Sequence, residues 1–182
     1  MQINESNLAK SLSSLLLQLG DIVRGISPQD YSAGLSILSG SSVGKHVRHS
    51  IEIAEALING RHTGVISYDR RKRNPVYEVS NASASERLYE LASYLEIATW
   101  AGEAKVCYFS GPDSQNEEIT DTHWERELLY VQDHTIHHNA MIRVALESEL
   151  KMKAVPKSFG IAFSTLNYEN SQTNSSESIH IK

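Results

Sequence analysis

One long helical stretch, residues 121–149, constrains the fold more than any other part of the chain. Thr122 followed three residues later by Glu125 is typical of a capping box, so a helix is predicted to begin there. At about 100° per residue, its apolar side chains fall on one face. They are Trp124, Val131, Met141, Ile142 and Ala145. A helix with one continuous apolar face needs other elements to cover that face.

Two histidines, His134 and His138, are predicted near the middle of the same face, one helical turn apart. Burying an imidazole without a partner costs roughly 1–3 kcal/mol, so two of them need a reason. A shared metal ion is one reason, because histidines four residues apart can bind a single cation. Two core histidines with ordinary hydrogen-bond partners are the alternative. Glu127 falls on the same face and is either a carboxylate that orients a ligand or an edge residue that reaches solvent. His137 borders the face and is either a wall of the pocket or an ordinary boundary residue.

Three further helices are predicted from apolar periodicity, over residues 5–26, from Ser42 to Asn59-Gly60, and from Ser83 to about Gly102. Glu86 completes a capping-box pattern with Ser83. Residues 61–82 are predicted to be irregular, and residues 105–120 suggest two short strands around a turn. The fold class predicted is all-α: a four-helix bundle with a short β-hairpin before the last helix and a C-terminal extension packed on the bundle.

Residues 1–168 are predicted to form one domain and the Ser/Asn/Gln-rich residues 169–182 a flexible polar tail. The net charge of −5 argues against a nucleic-acid partner. No run approaches the about 18 apolar residues of a membrane span, and the N-terminus lacks a secretory signal. We therefore expect a cytoplasmic protein. The single cysteine, Cys107, excludes an internal disulfide and any cysteine-based zinc cluster, and is predicted to be a small buried hydrophobe.

A catalytic zinc site usually has three protein ligands and one open position, so a third donor is expected. The second helix offers His46 and His49, three residues apart. His46 lies nearer the apolar stripe, and periodicity alone favours it only weakly.

The combination of two motifs resembles the DinB-like (DinB/YfiT-like) superfamily of metal-binding four-helix bundles. The first is Ser42-Val-Gly-Lys-His-Val-Arg-His49 on the second helix, and the second is His134-Thr-Ile-His-His138 on the fourth. The resemblance covers roughly residues 8–150. In that family the helix-two ligand closes a small–apolar–Gly–x–x–x–x–His pattern, which corresponds to His49. The resemblance thus implies a metal site made of His49, His134 and His138.

The resemblance also implies a divalent ion, with zinc or nickel favoured over iron, and homodimers. Some members are S-transferases or isomerases that use a low-molecular-weight thiol. Ala140 stands where the ergothioneine-type sulfoxide synthases of this superfamily have Glu, which argues against an oxygen-activating iron enzyme.

The leading functional hypothesis is a metal-dependent enzyme, either a hydrolase or a thiol S-transferase acting on a small molecule. Three neutral imidazoles leave the charge of the ion uncompensated, so a water or thiol at the open position loses its proton near neutral pH. The alternative is a non-enzymatic, stress-related, metal-stabilised dimer. The basic run Arg70-Arg71-Lys72-Arg73 either binds an anionic group or is solvated and paired with Glu78 or Glu86.

Overall fold

Four long helices form the framework of the computed structural model, which describes residues 7–177, with side chains through residue 172. They are α1 (Asn7–Arg24), α3 (Val43–Thr63), α5 (Asn81–Ile97) and α6 (Trp124–Ser148). The shorter elements are the helices α2 (Pro28–Ser32), α4 (Val76–Val79) and α7 (Phe163–Glu177), and the strands β1 (Val65–Ser67), β2 (Glu103–Tyr108) and β3 (Glu118–His123). The protein is therefore mostly helical with a small sheet.

The long helices contact one another in a ring, because α1 packs against α5 and α6, and α3 packs against the same two helices. Their inward faces are aliphatic, as the periodicity predicts. Fully buried members of this core include Leu12, Leu16, Leu19, Val47, Ile51, Leu57, Leu88, Leu95, Leu128 and Val131. Each such side chain contributes about 1.5–3 kcal/mol when it leaves water, so this core holds the helices together.

The sheet has three strands in the order β1-β2-β3. The predicted hairpin is present as β2 and β3, which are antiparallel with Val106 opposite Thr120. Strand β1 pairs parallel to β2, with Ile66 opposite Val106, and was not predicted. It lies in the stretch expected to be irregular and is only three residues long, too short to show an alternating pattern.

The predicted ends of α3 and α5 were wrong by several residues. Helix α3 continues to Thr63, and Gly64 closes it with a left-handed φ of +76°. Gly60 lies inside the helix because the side chain of Ile66 occupies the space of a Cβ, at 2.5 Å. Helix α5 begins at Asn81, because the Ser80 hydroxyl accepts the backbone N–H of Ser83, and it ends at Ile97 and not near Gly102.

The predicted start of α6 was also wrong, because residues 118–123 form β3 and the helix begins at Trp124. Thr122 therefore makes no capping box with Glu125. Its hydroxyl donates to the Glu127 carboxylate at 2.8 Å. The middle of the buried face of α6 belongs to Val131, Thr135 and Ile142, and not to the two histidines.

Part of the C-terminal extension packs on the helices. Phe159 is fully buried, and Arg143 donates to the carbonyls of Lys157 and Phe159 at 2.9 and 3.3 Å. Beyond it, α7 is helical through Glu177, where a loose tail was expected, although Phe163 and Tyr168 are exposed. The rest of the expected tail, residues 178–182, lies outside the described residues. Within residues 7–177, no helix combines the length and the apolar character needed to cross a membrane.

Candidate metal centre

Helices α3 and α6 pack against each other and bring three histidines to one place. His49 comes from α3, and His134 and His138 come from successive turns of α6. The two α6 histidines lie on the flank of the buried face that faces α3. All three are at least partly buried, and His138 is the most enclosed.

The three imidazole rings form a nearly equilateral triangle. Their centroids are 4.9 Å apart for His49 and His134, and 4.7 Å apart for each of the other two pairs. One ring nitrogen from each histidine lies within 4.8 Å of the others, and the Nε2 atoms of His49 and His134 are 2.8 Å apart.

This spacing fits a small divalent cation. Tetrahedral zinc with Zn–N bonds of about 2.0–2.1 Å separates its nitrogen ligands by about 3.3 Å. The 2.8 Å between the Nε2 atoms of His49 and His134 therefore needs to open by a few tenths of an ångström, and the other donor pairs, at most 4.8 Å apart, need to close by at most about 1.5 Å. Side-chain rotations in partly buried imidazoles supply a change of that size.

His46, which was the weakly favoured alternative ligand, lies behind His138. The Nδ1 atoms of the two rings are 3.1 Å apart, so one donates to the other. When the proton is on His138 Nδ1, His138 Nε2 has a free lone pair for a cation. His46 is three residues before His49 on α3, and periodicity alone does not separate a ligand from its hydrogen-bond partner at that spacing.

His137 is exposed on α6, and its ring centroid is 5.4 Å from that of His138. It borders the site without joining the triangle. The sequence left its role open between a boundary residue and a wall of the pocket, and the structure gives it an edge position.

Arg71, which sequence reasoning treated only as part of a basic run, contacts the site directly. Its guanidinium donates to His49 Nδ1 at 3.1 Å and to the Tyr68 carbonyl at 2.8 Å. Its Nε lies 3.5 Å from the carboxylate of Glu52, which is 1 % exposed. Because His49 Nδ1 accepts this bond, the His49 proton is on Nε2 and is donated to His134 Nε2.

The histidines are held neutral. Burial, followed by the charges of Arg71 and the neighbouring imidazoles, lowers the pKa of His49 to about 4. Burial and the surrounding histidines lower the pKa of His138 to about 3, and burial lowers those of His46 and His134. Neutral imidazoles have lone pairs for a cation, so the donor set suits metal binding near neutral pH.

Glu127, whose position left open whether it orients a histidine or is an edge residue, has other partners in the structure. Its carboxylate, 1 % exposed, accepts from the hydroxyls of Tyr68 at 2.9 Å and Thr122 at 2.8 Å, and pairs with Arg126 at 3.0 Å. It therefore fixes Tyr68 and the end of β3 to α6. This position on the flank of α6 faces the sheet, and the helical wheel alone does not distinguish it from the histidine positions.

A cavity of about 390 Å³ adjoins the triangle. His46, His49 and His138 line it. Four cationic side chains line it as well, and they are Lys45, Arg48, Arg71 and Arg73. The centre thus combines neutral nitrogen donors with a positively charged space large enough for a small molecule.

Comparison with known proteins adds one sequence relative. The chain is similar to FK506-binding protein 5 of Rhizopus delemar, at 32 % identity over 112 residues, which is 59 % of this chain. The match spans 28 % of the length of that relative. No protein-family model and no solved structure matches the chain.

Proposed function

We propose that the protein binds a divalent metal ion through His49, His134 and His138 and is a member of the DinB-like superfamily. In this proposal the ring of four long helices is the superfamily's four-helix bundle. The observation that carries it is the triangle of three neutral imidazoles from two helices, with one donor nitrogen of each within 4.8 Å of the others. The FK506 binding in the name of the fungal relative is not part of this proposal, because the match spans 28 % of the length of that relative.

We further propose that the centre is catalytic, as a hydrolase or as an S-transferase for a low-molecular-weight thiol. A zinc or nickel ion supplies there the acidity that deprotonates a water or thiol near neutral pH. The chain's residues supply the remainder: His46 contacts His138 and can orient it, Arg71 places a positive charge beside His49, and the adjoining cavity admits a small substrate. The homodimer implied by the superfamily is part of the same proposal.

Metal analysis of protein purified without an affinity tag or chelator tests the centre. We expect one divalent ion per chain in the wild type and little metal in His134→Ala, because two nitrogen donors hold zinc far more weakly than three. His62→Ala is the matched control, since His62 is an exposed histidine of α3 outside the triangle. An unchanged metal content in His134→Ala, with circular dichroism showing a retained fold, would refute the proposal.

Turnover separates the catalytic role from a structural one. The metal-loaded protein is assayed for ester hydrolysis and for transfer of low-molecular-weight thiols to an electrophile, with His134→Ala as the reference. Activity that requires both the metal and His134 supports the enzyme. Metal binding that raises the melting temperature of a dimer, without turnover, supports the metal-stabilised alternative.

A further inference from the structure

The basic run is divided between two surfaces. Arg71 and Arg73 line the cavity beside the histidines, whereas Arg70 and Lys72 line a separate groove, which Arg71 also borders. Arg70 is paired with Glu117 at 2.6 Å. Neighbouring residues with similar charge therefore face different environments, and only the odd-numbered pair reaches the histidine cavity.

The histidine cavity has more positive charge than its carboxylates balance. Arg48 pairs with Glu78 at 2.6 Å and lies 3.4 Å from Glu52, which also neighbours Arg71. Lys45 and Arg73 are exposed at the rim, and neither has an ion-pair partner in the part of the chain that the structure describes. Four cationic side chains thus face two carboxylates, which leaves a surplus suited to an anion.

The bond between Arg71 and His49 cannot coexist with a cation bound at His49 Nε2. His49 Nδ1 accepts from Arg71 at 3.1 Å, which places the imidazole proton on Nε2. When His49 Nε2 binds a cation, the proton moves to Nδ1 and faces the guanidinium, so two donors oppose each other. Arg71 must then leave His49 and find another acceptor.

We propose that this cavity is an anion subsite of the metal centre. A cation on His49 Nε2 would displace Arg71 from His49 Nδ1, and the guanidinium would then bind a carboxylate or phosphate group of the ligand together with Arg73 and Lys45. This inference rests on the proposed metal centre and narrows its substrate to small anionic molecules. Glu52 is a positioning residue here, because it keeps the Arg71 stem at the cavity whichever acceptor the guanidinium uses.

The released guanidinium couples the two binding events. A cation makes Arg71 available to the anion, and the anion stabilises the position that Arg71 must take when the cation is bound. By thermodynamic linkage each ligand therefore strengthens the binding of the other by the same factor. If the cavity attracted anions by its charge alone, replacing Arg71 would not remove the coupling between cation and anion binding beyond the effect of losing one charge.

Zinc affinity, measured by competition with a chelating indicator, tests the coupling. The wild type is compared in sulfate and in chloride at matched ionic strength. We expect sulfate to strengthen zinc binding about tenfold, as a charge-assisted hydrogen bond supports. Arg73→Gln should lose most of this gain, because Arg73 lines the histidine cavity. Lys72→Gln should keep the gain and is the matched control, because it removes one exposed charge from the same loop outside that cavity. Arg71→Gln should bind zinc more tightly than the wild type in chloride and show little response to sulfate.

The possible results distinguish a failure of the anion subsite from a failure of the proposed metal centre. If the wild type binds no zinc in either buffer, the proposed function and the coupling both fail. Calorimetric titration of sulfate into the metal-free protein still tests the subsite then, and weaker binding in Arg73→Gln than in Lys72→Gln supports it. Zinc affinity that ignores sulfate, or equal losses in Arg73→Gln and Lys72→Gln, overturns the inference. Acetate in place of sulfate tells which group is preferred, because a larger gain with acetate assigns a carboxylate.

Discussion

In the proposed metal centre, His46 is a residue that does not bind the ion and yet influences its affinity through His138. Its Nδ1 lies 3.1 Å from His138 Nδ1, and when His138 is the donor in this contact its Nε2 is left free for a cation. Partners of this kind hold the ring orientation of a metal-binding histidine and increase its basicity. The neighbouring Arg71 acts in the opposite sense on His49, because it stabilises the tautomer that does not bind metal through Nε2.

We therefore expect His46→Ala to weaken zinc binding about 10- to 100-fold while the fold is retained. His46→Gln, which keeps a carbonyl acceptor on a longer side chain, should recover part of the loss. Both are measured by chelator competition, with His62→Ala as the control. Zinc affinity in His46→Ala equal to that of the wild type would show that His138 does not depend on His46, and a complete loss of zinc would make His46 a ligand.

At the scale of elements, Gly44 permits the close contact between α3 and α4. A Cβ at this position would lie 2.1 Å from the Glu78 carbonyl oxygen and 2.8 Å from the Tyr31 ring. The Tyr31 hydroxyl donates to the Tyr77 carbonyl at 2.6 Å, which holds α4 in the same place. The loop that carries Arg71 and Arg73 leads into α4, so this contact also sets one end of the histidine cavity.

Gly44→Ala should destabilise the protein by about 1–2 kcal/mol, although alanine is the better helix former. Because the obstructing atom is a backbone oxygen, the shift needed to admit the methyl group costs about 2–3 kcal/mol, the upper end of the usual range, and exceeds the gain of about 1 kcal/mol in helix propensity. The measurement is urea unfolding of the metal-free protein. Gly111→Ala is the control, because a Cβ there meets only the Ser114 hydroxyl at 3.8 Å. Equal stability of Gly44→Ala and the wild type would contradict the packing described for α4.

At the scale of the whole molecule, the helical class and the β2–β3 hairpin could be predicted because both depend on periodic patterns within one segment. The wrong predictions concern element boundaries and a strand that are determined by contacts between distant parts of the chain. Gly60 has the sequence signature of a helix end but lies inside α3, since Ile66 requires the space of its missing side chain. Strand β1 exists because β2 pairs with it and not because three residues favour a strand.

The same division applies to the candidate site. The i, i+4 spacing alone predicts that the His134 and His138 side chains lie next to each other, because both belong to one helix. The roles of His46 and His49 depend on how α3 lies across α6, so spacing alone left both open. Arg71 was not predicted because its direction follows from Glu52 and His49, which are distant in sequence but adjacent in the fold.

The most direct test is a crystal structure of the zinc-loaded protein with anomalous data recorded at the zinc edge. The account predicts one anomalous peak per chain, bound by one nitrogen each of His49, His134 and His138 at about 2.0–2.1 Å, with Arg71 moved away from His49. A peak at other side chains, or none at the three histidines of crystals grown with zinc, would contradict the account.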